Sequence, residues 1–235
     1  MAGGLGKRME SSIPKVLHHL QSKPMLVHVL EKAKHLNPER VYIIVGKYRR
    51  IIEETLKQFL NIDSIIFVDQ PDALGTGHAI QCVRPYLLHD TNKILILSGD
   101  VPLLTSQTML SLVTESRVSL LATIVDDPTG YGRIVKKNGS FIKIVEEKDS
   151  SEEEKKIQLI NAGVYCFTSE ILCNYLPLIN NKNTQQEYYL TDIFELIRNG
   201  NNEEMEVVVL PKQKGTELTG VNTKEQLQAL EYKLK

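Results

Sequence analysis

The chain has 235 residues, 24% of them charged and 42% hydrophobic, with a formal net charge of −1 at pH 7. That length is enough for one large α/β domain with its own core, and the near-zero charge excludes the bulk attraction that nucleic acid or an anionic membrane would need. No apolar run approaches the length that spans a bilayer, and Cys82, Cys166 and Cys173 fall in apolar segments at no metal-ligand spacing, as expected of reduced core residues in a cytoplasmic protein.

The chain opens on Met1-Ala2-Gly3-Gly4-Leu5-Gly6-Lys7-Arg8-Met9, followed by Ile13-Pro14-Lys15. Closely spaced glycines let the backbone approach a ligand and aim amide N–H groups at it, and Lys7, Arg8 and Lys15 add positive charge, a combination that holds polyphosphate. The spacing excludes a Walker loop, and Met9 stands where a dinucleotide fingerprint needs Gly or Ala.

Beyond the loop, Met25, Leu26, Val29, Leu30, Ala33 and Leu36 recur at helical spacing and predict a helix over 24–36, stopped by Asn37-Pro38. Val41–Val45 is a β-branched run expected to be a strand buried on both faces. Helix 49–60, strand 64–68, helix 77–87 and strand 93–97 follow in alternation. This βαβα order predicts a parallel sheet with ligand at the carboxyl ends of its strands. After residue 118 the rhythm changes: strand 119–125, a hairpin of 131–135 with 141–145 around Asn138-Gly139, a charged run over 146–156, strand 159–167, helices 169–179 and 191–199, strand 205–210 and helix 224–234. The change of rhythm divides the chain near residue 117 into two parts, 1–117 and 118–235. No hexapeptide periodicity of a left-handed β-helix is present.

Polar residues collect where the strands end. Gln70 precedes Leu74-Gly75-Thr76-Gly77-His78, and its carboxamide offers a donor beside an acceptor, the match for a uracil edge; a capped turn is the other reading. Asp100, at the tip of an apolar strand, needs a compensating partner, which in a polyphosphate site is Mg²⁺; a distant helix cap is the alternative. In Asp127-Pro128-Thr129-Gly130-Tyr131-Gly132-Arg133 the glycines suggest a bend against a sugar, with Arg133 as a structural ion-pair partner. Glu146 and Asn161 are natural readers of sugar hydroxyls, although Glu146 also fits the start of a solvated acidic run. Tyr188-Tyr189-Leu190-Thr191 looks like core leading into an N-cap, and Asn222 like an ordinary cap for the last helix.

The ordered set of glycine loop, Pro-Lys, Leu-Gly-Thr-Gly-His-Ala, Gly-Asp-Val-Pro-Leu, Asp-Pro-Thr-Gly-Tyr-Gly-Arg, Val-Glu-x-Lys-Asp, Ile-Asn-x-Gly, Gln-x-Glu-Tyr-Tyr-Leu-Thr-Asp and Gly-Val-Asn resembles the sugar nucleotidylyltransferase family. Within it the chain resembles the N-acetylglucosamine-1-phosphate uridylyltransferases that form one half of a bacterial bifunctional enzyme. The resemblance implies a Rossmann-like α/β fold with a mixed, mostly parallel sheet flanked by helices and a small β-rich sugar-binding lobe. It implies that 1–117 and 118–235 are a nucleotide-binding half and a sugar-binding half. It implies transfer of UMP from UTP to N-acetylglucosamine 1-phosphate with Mg²⁺; the acetyltransferase half is not expected, because the hexapeptide repeats it requires are absent. By the same resemblance, Ala2, Gly3, Gln70, Gly75 and Thr76 hold the nucleotide and Arg8 and Lys15 hold and polarise its triphosphate. Asp100 and Asn222 ligate the metal, and Gly132, Glu146, Asn161, Tyr189 and Thr191 line the sugar site. The family also has a strand leading into the glycine loop, so one is expected ahead of Met1. Ser98 stands where the family often has an aromatic, and Ala162 where it has Thr.

Overall fold

The computed structural model describes residues 1–4, 9, 11, 13–88, 92–201 and 205–234. Up to residue 97 the chain runs β1 (His19–Leu20), β2 (Lys23–Pro24), α1 (Met25–Lys34), β3 (Val41–Val45), α2 (Arg49–Leu56), β4 (Ile65–Asp69), α3 (Thr76–Leu87) and β5 (Lys93–Ile96). It continues with α4 (Ser106–Leu110), β6 (Val118–Ile124), β7 (Arg133–Lys137), β8 (Ser140–Val145), β9 (Leu159–Thr168), α5 (Ser169–Tyr175), α6 (Asp192–Asn201), β10 (Met205–Leu210) and α7 (Lys224–Lys233). The chain folds as two compact units, each discontinuous in sequence: Met1–Ala73 with Ser98–Met109 and Thr216–Lys235, and Leu74–Leu97 with Leu110–Gly215.

In the first unit β3 and β4 pair in parallel, Val41 opposite Ile65 through Val45 opposite Asp69, as the βαβ order requires. Helices α1 and α2 supply Leu26, Val27, Leu30, Ile52 and Leu56 to a core shared with Ile43 and Val45 of β3. Beside β3, the Ala2 N–H donates to the Ile44 carbonyl at 2.9 Å, and the Gly99 N–H donates to the Met1 carbonyl at 3.0 Å. Glycine loop and Gly-Asp segment are thereby tied to one strand end. The β1–β2 hairpin, its turn at Gln21 in the left-handed region (φ 57), was not foreseen from periodicity because two-residue strands carry none. It nevertheless matters, because Leu20 and Met25 pack with Val221 and Leu230 and so anchor α7.

In the second unit the sheet is mixed. Strand β9 has β6 along one edge, and β5 and then β7 along the other, all antiparallel to it; β10 joins β6 in parallel and β8 closes the hairpin with β7. It follows that β5, β6, β7 and β10 share one direction while β8 and β9 run against them. The expected prevalence of parallel strands therefore holds in strand direction. It does not show in the hydrogen-bonded pairs, because β9 is inserted between β5 and β6. Aromatic contacts at Tyr165, Phe167 and Phe194, with ring centroids 5.2 to 6.3 Å apart, fix α6 on this sheet. Helix α5 stops at Tyr175, short of the expected 179, because Pro177 converts the next turn to a 3₁₀ helix over Leu176–Leu178.

Helix α7 begins with a capping box: the Thr223 hydroxyl accepts from the Gln226 N–H, and the Gln226 side chain accepts from the Thr223 N–H. Thr223→Ala is expected to lower unfolding free energy by about 1 kcal/mol, measured by urea denaturation.

Candidate active site

The first unit brings Asp100, Asn222 and Lys15 together. Lys15 follows Pro14 in a 3₁₀ turn, Lys15–Leu17, whose Val16 and Leu17 are buried, so its backbone is anchored while its side chain reaches out. Its ammonium forms an ion pair with the Asp100 carboxylate and donates to the Asn222 amide oxygen at 2.9 Å. The lysine and aspartate side chains are 17% and 18% exposed, screened enough for the pairing to matter and open enough for a ligand to enter. A hydrogen bond from the Val221 N–H to the Asp100 carbonyl, 2.9 Å long, places the Gly220-Val221-Asn222 segment against the Gly-Asp segment.

Asn222 is not the helix cap that its position suggested. Thr223 takes that role, and the Asn222 backbone N–H donates instead to the Gln226 side chain at 2.7 Å, leaving its own side chain turned to Lys15. Nor does Asp100 cap α4, which starts at Ser106; Glu217 accepts from the hydroxyls of Thr105 and Thr108 there, at 2.8 and 2.7 Å. Of the remaining residues in this unit, Gln70 is buried and its carboxamide oxygen lies against the Gly3 backbone. A side-chain carbon at Gly3 would come within 2.8 Å of it. The Ala2 N–H is occupied by its backbone bond to the Ile44 carbonyl. Arg8 lies outside the described residues.

The second unit assembles Gly75, Thr76, Gly132, Glu146, Asn161, Tyr189 and Thr191. The 74–77 loop is pinned to the tyrosine pair: the Tyr188 N–H donates to the Leu74 carbonyl (2.8 Å), the Gly77 N–H to the Tyr188 carbonyl (2.7 Å), and the Leu190 N–H to the Thr76 hydroxyl (3.0 Å). Gly75 has a φ of 114°, and a side chain there would meet the Tyr188 carbonyl at 2.5 Å, so only glycine fits. At the end of β8, Glu146 accepts from the buried Thr191 hydroxyl at 2.7 Å. Burial pushes the Glu146 carboxyl above its ordinary range against that hydrogen bond, with Asp149 and Glu187 adding to the rise.

Asn161 is set by a bulge. Between the pairs Leu120–Tyr165 and Ala122–Asn161, Leu121 of β6 stands opposite Ala162, Gly163 and Val164 of β9, with Gly163 at a φ of 69°. The Gly163 N–H donates to the Asn161 side-chain oxygen at 3.1 Å, and the Asn161 amide donates to the Tyr165 hydroxyl at 2.7 Å. Opposite it, the Gly132 carbonyl accepts from the Asn161 N–H at 2.9 Å, so the two predicted sugar readers are neighbours. Arg133 is buried and paired with Glu147 at 2.6 Å, in keeping with a structural role. The Tyr189 hydroxyl accepts from the Gln185 side chain at 2.8 Å, and burial raises its pKa to about 12.

Sequence reasoning missed Tyr165 and Asp192, the first because it reads as plain core and the second because it reads as a helix-start acid. Gly163 carried a signal, a lone glycine inside an apolar strand, which commonly marks a bulge. Among the described residues no group of three or more His, Cys, Asp or Glu could hold a metal ion. No helix among the described residues is long and apolar enough to cross a membrane.

A family model described as nucleotidyl transferase matches residues 1–211. A probable UDP-N-acetylglucosamine pyrophosphorylase of Acanthamoeba polyphaga mimivirus is 40% identical over 237 residues, covering 98% of this chain and 93% of that protein. The bifunctional protein GlmU of Clostridium botulinum (strain 657 / Type Ba4) is 39% identical, and that of Acinetobacter baylyi 40%; the chain spans about half the length of each, 50% in both cases. Among solved structures, a UDP-glucose pyrophosphorylase complexed with UDP-glucose superposes with a TM-score of 0.77 at 19% identity, over 100% of this chain and 97% of that one, a likeness of fold.

Asp192, half-buried near Glu146, Glu195 and Asp149, has its pKa pushed up to about 6 from 3.8, chiefly by burial and then by those like charges. The folded state then binds more protons than the unfolded chain between these values, so stability falls as pH rises through that window and the loss persists above it. Asp192→Asn is expected to melt above the wild-type protein at about pH 7.5, with the gap closing toward about pH 4.5 in thermal denaturation scans.

Proposed function

We propose, because this chain belongs to the nucleotidyl transferase family, that it transfers UMP from UTP to N-acetylglucosamine 1-phosphate, releasing pyrophosphate. The observation that carries this reading is the convergence of Asp100, Asn222 and Lys15 in the first unit. The name of the mimivirus relative supports the choice of uridine nucleotide and amino sugar.

The donor set fits Mg²⁺. A carboxylate and an amide carbonyl are hard oxygen ligands, and both already converge on one cation, the Lys15 ammonium. Asp100 and Asn222 would hold the ion, with phosphate oxygens completing its shell. When bound, Mg²⁺ would neutralise charge on the phosphates and favour the leaving pyrophosphate.

The chemistry asks little else of the protein. A phosphate monoester has its second pKa near ~6, so the nucleophilic oxygen of the sugar phosphate is mostly ionised at neutral pH and needs no base. What must be overcome is the approach of two anions. Lys15, with Arg8, would place positive charge on the α-phosphate and the leaving group while the attack proceeds in line. Gly3 with Gln70, and separately Gly75 and Thr76, would orient the nucleoside. Glu146, Asn161, Thr191, Tyr189 and the Gly132 backbone would hold the sugar, each fixed by the hydrogen bonds described above. Histidines have no proton-transfer role in this scheme: His28 bonds the Leu20 carbonyl at 3.0 Å, and burial holds His18 below its ordinary pKa.

The direct test is pyrophosphate release from UTP across a panel of sugar 1-phosphates, with and without Mg²⁺. N-acetylglucosamine 1-phosphate is expected to give the highest kcat/KM and glucose 1-phosphate a much lower one; no release with any sugar would contradict the assignment. Lys15→Ala is expected to lower kcat by about 10²–10³-fold, the scale of one lost charge-stabilising donor, with a far smaller change in UTP affinity. Asp100→Ala should abolish the Mg²⁺-dependent rate in the same assay.

A further inference from the structure

We infer that the Lys15 ammonium is a built-in competitor for the divalent cation. It engages the oxygen pair of Asp100 and Asn222, and an ion gains that pair as the lysine is drawn away to phosphate. This rests on the reading of Asp100 and Asn222 as the metal ligands.

The geometry supplies the competition. Asp100 and Asn222 come from segments 85 and 207 residues away from Lys15, yet both turn an oxygen to its Nζ. Those two oxygens are the side-chain donors the metal reading assigns to the ion. An ammonium is a compact point charge, close in character to a small hard cation, and its four-carbon stem is flexible. Val16 and Leu17 hold the backbone beside it, so the head group can leave without disturbing the turn. Two cations on one carboxylate repel each other at close range, so a lysine held there disfavours an ion beside it.

The consequence is a coupling between metal and nucleotide. Triphosphate that draws the lysine away vacates the oxygen pair, so each ligand promotes the other, and by linkage the effect is reciprocal. Divalent metal alone binds weakly for as long as the lysine carries its charge there. Removing that charge should therefore tighten metal binding while impairing turnover, the opposite of what a purely supporting contact would do.

The test is titration of the full chain with Mn²⁺ alone, without nucleotide, followed by electron paramagnetic resonance. Lys15→Met, with Lys15→Gln as a second variant should the first fold poorly, is expected to bind Mn²⁺ about five- to tenfold more tightly than wild type, the scale of a partly screened ion pair. Lys15→Arg keeps the charge and should stay at the wild-type affinity, and Asp100→Ala should lose the site. If Asp100→Ala removes binding while the neutral Lys15 variants bind no more tightly than wild type, the competition is overturned and the metal reading stands. If Asp100→Ala leaves Mn²⁺ binding unchanged, the metal reading itself fails. Undetectable binding in wild type and in both neutral variants overturns the competition as well.

Discussion

The arrangement of the first unit depends on how Lys15 is compensated. A lysine held at low exposure next to a carboxylate and an amide oxygen draws three remote stretches of chain to one point: the turn after the glycine loop, the Gly-Asp segment and the lead-in to α7. Each stretch is secured on its own account. Val16 and Leu17 are buried, the Gly99 N–H bonds the Met1 carbonyl, and Val221 packs with Leu20, Met25 and Leu230. The packing sets where the polar groups are, and the polar groups then decide what the site can hold. A triphosphate with its counter-ion matches that demand, because it brings both the anion that a displaced lysine needs and the oxygens that a metal needs.

Under the proposed function the second unit meets a different need, that of holding neutral hydroxyl-bearing groups in a fixed orientation. Its polar side chains stand at irregularities in otherwise regular elements: Glu146 where β8 ends, Asn161 beside a bulge in β9, Thr191 immediately before α6. Each is oriented by a bond within the unit, Thr191 to Glu146 and Asn161 between Tyr165 and Gly163, so these side chains are held in place by the protein's own hydrogen bonds. Such pre-ordering lowers the entropic cost of binding. The raised pKa values of Glu146 and Asp192 are its electrostatic cost.

Much of this was legible in the amino-acid sequence. The β-branched run at Val41–Val45 and the period of the 25–34 helix follow from burial on both faces and on one face respectively, so those elements were expected within a few residues of where they are. The first hairpin was not, because His19–Leu20 and Lys23–Pro24 are too short to show alternation. Strand β9 was expected over 159–167, but its antiparallel insertion between β5 and β6 was not, since strand order is set by tertiary pairing. Site residues divide in the same way. Asp100 could be suspected from elementary electrostatics, a charge at an apolar strand tip. Asn222 could not: its local context, two residues ahead of a charged helix turn, says cap, and only the family resemblance pointed to a ligand-binding role. Its side chain meets Lys15 because the chain closes on itself after more than two hundred residues, which no local pattern encodes.

The most direct measurement is a crystal structure of the full chain soaked or grown with UTP and Mn²⁺, read by anomalous scattering. The account predicts a manganese peak within ligand distance of both the Asp100 and Asn222 side-chain oxygens, with the Lys15 ammonium moved onto phosphate. A peak elsewhere, with Lys15 still paired to Asp100 and no phosphate near either, would contradict it.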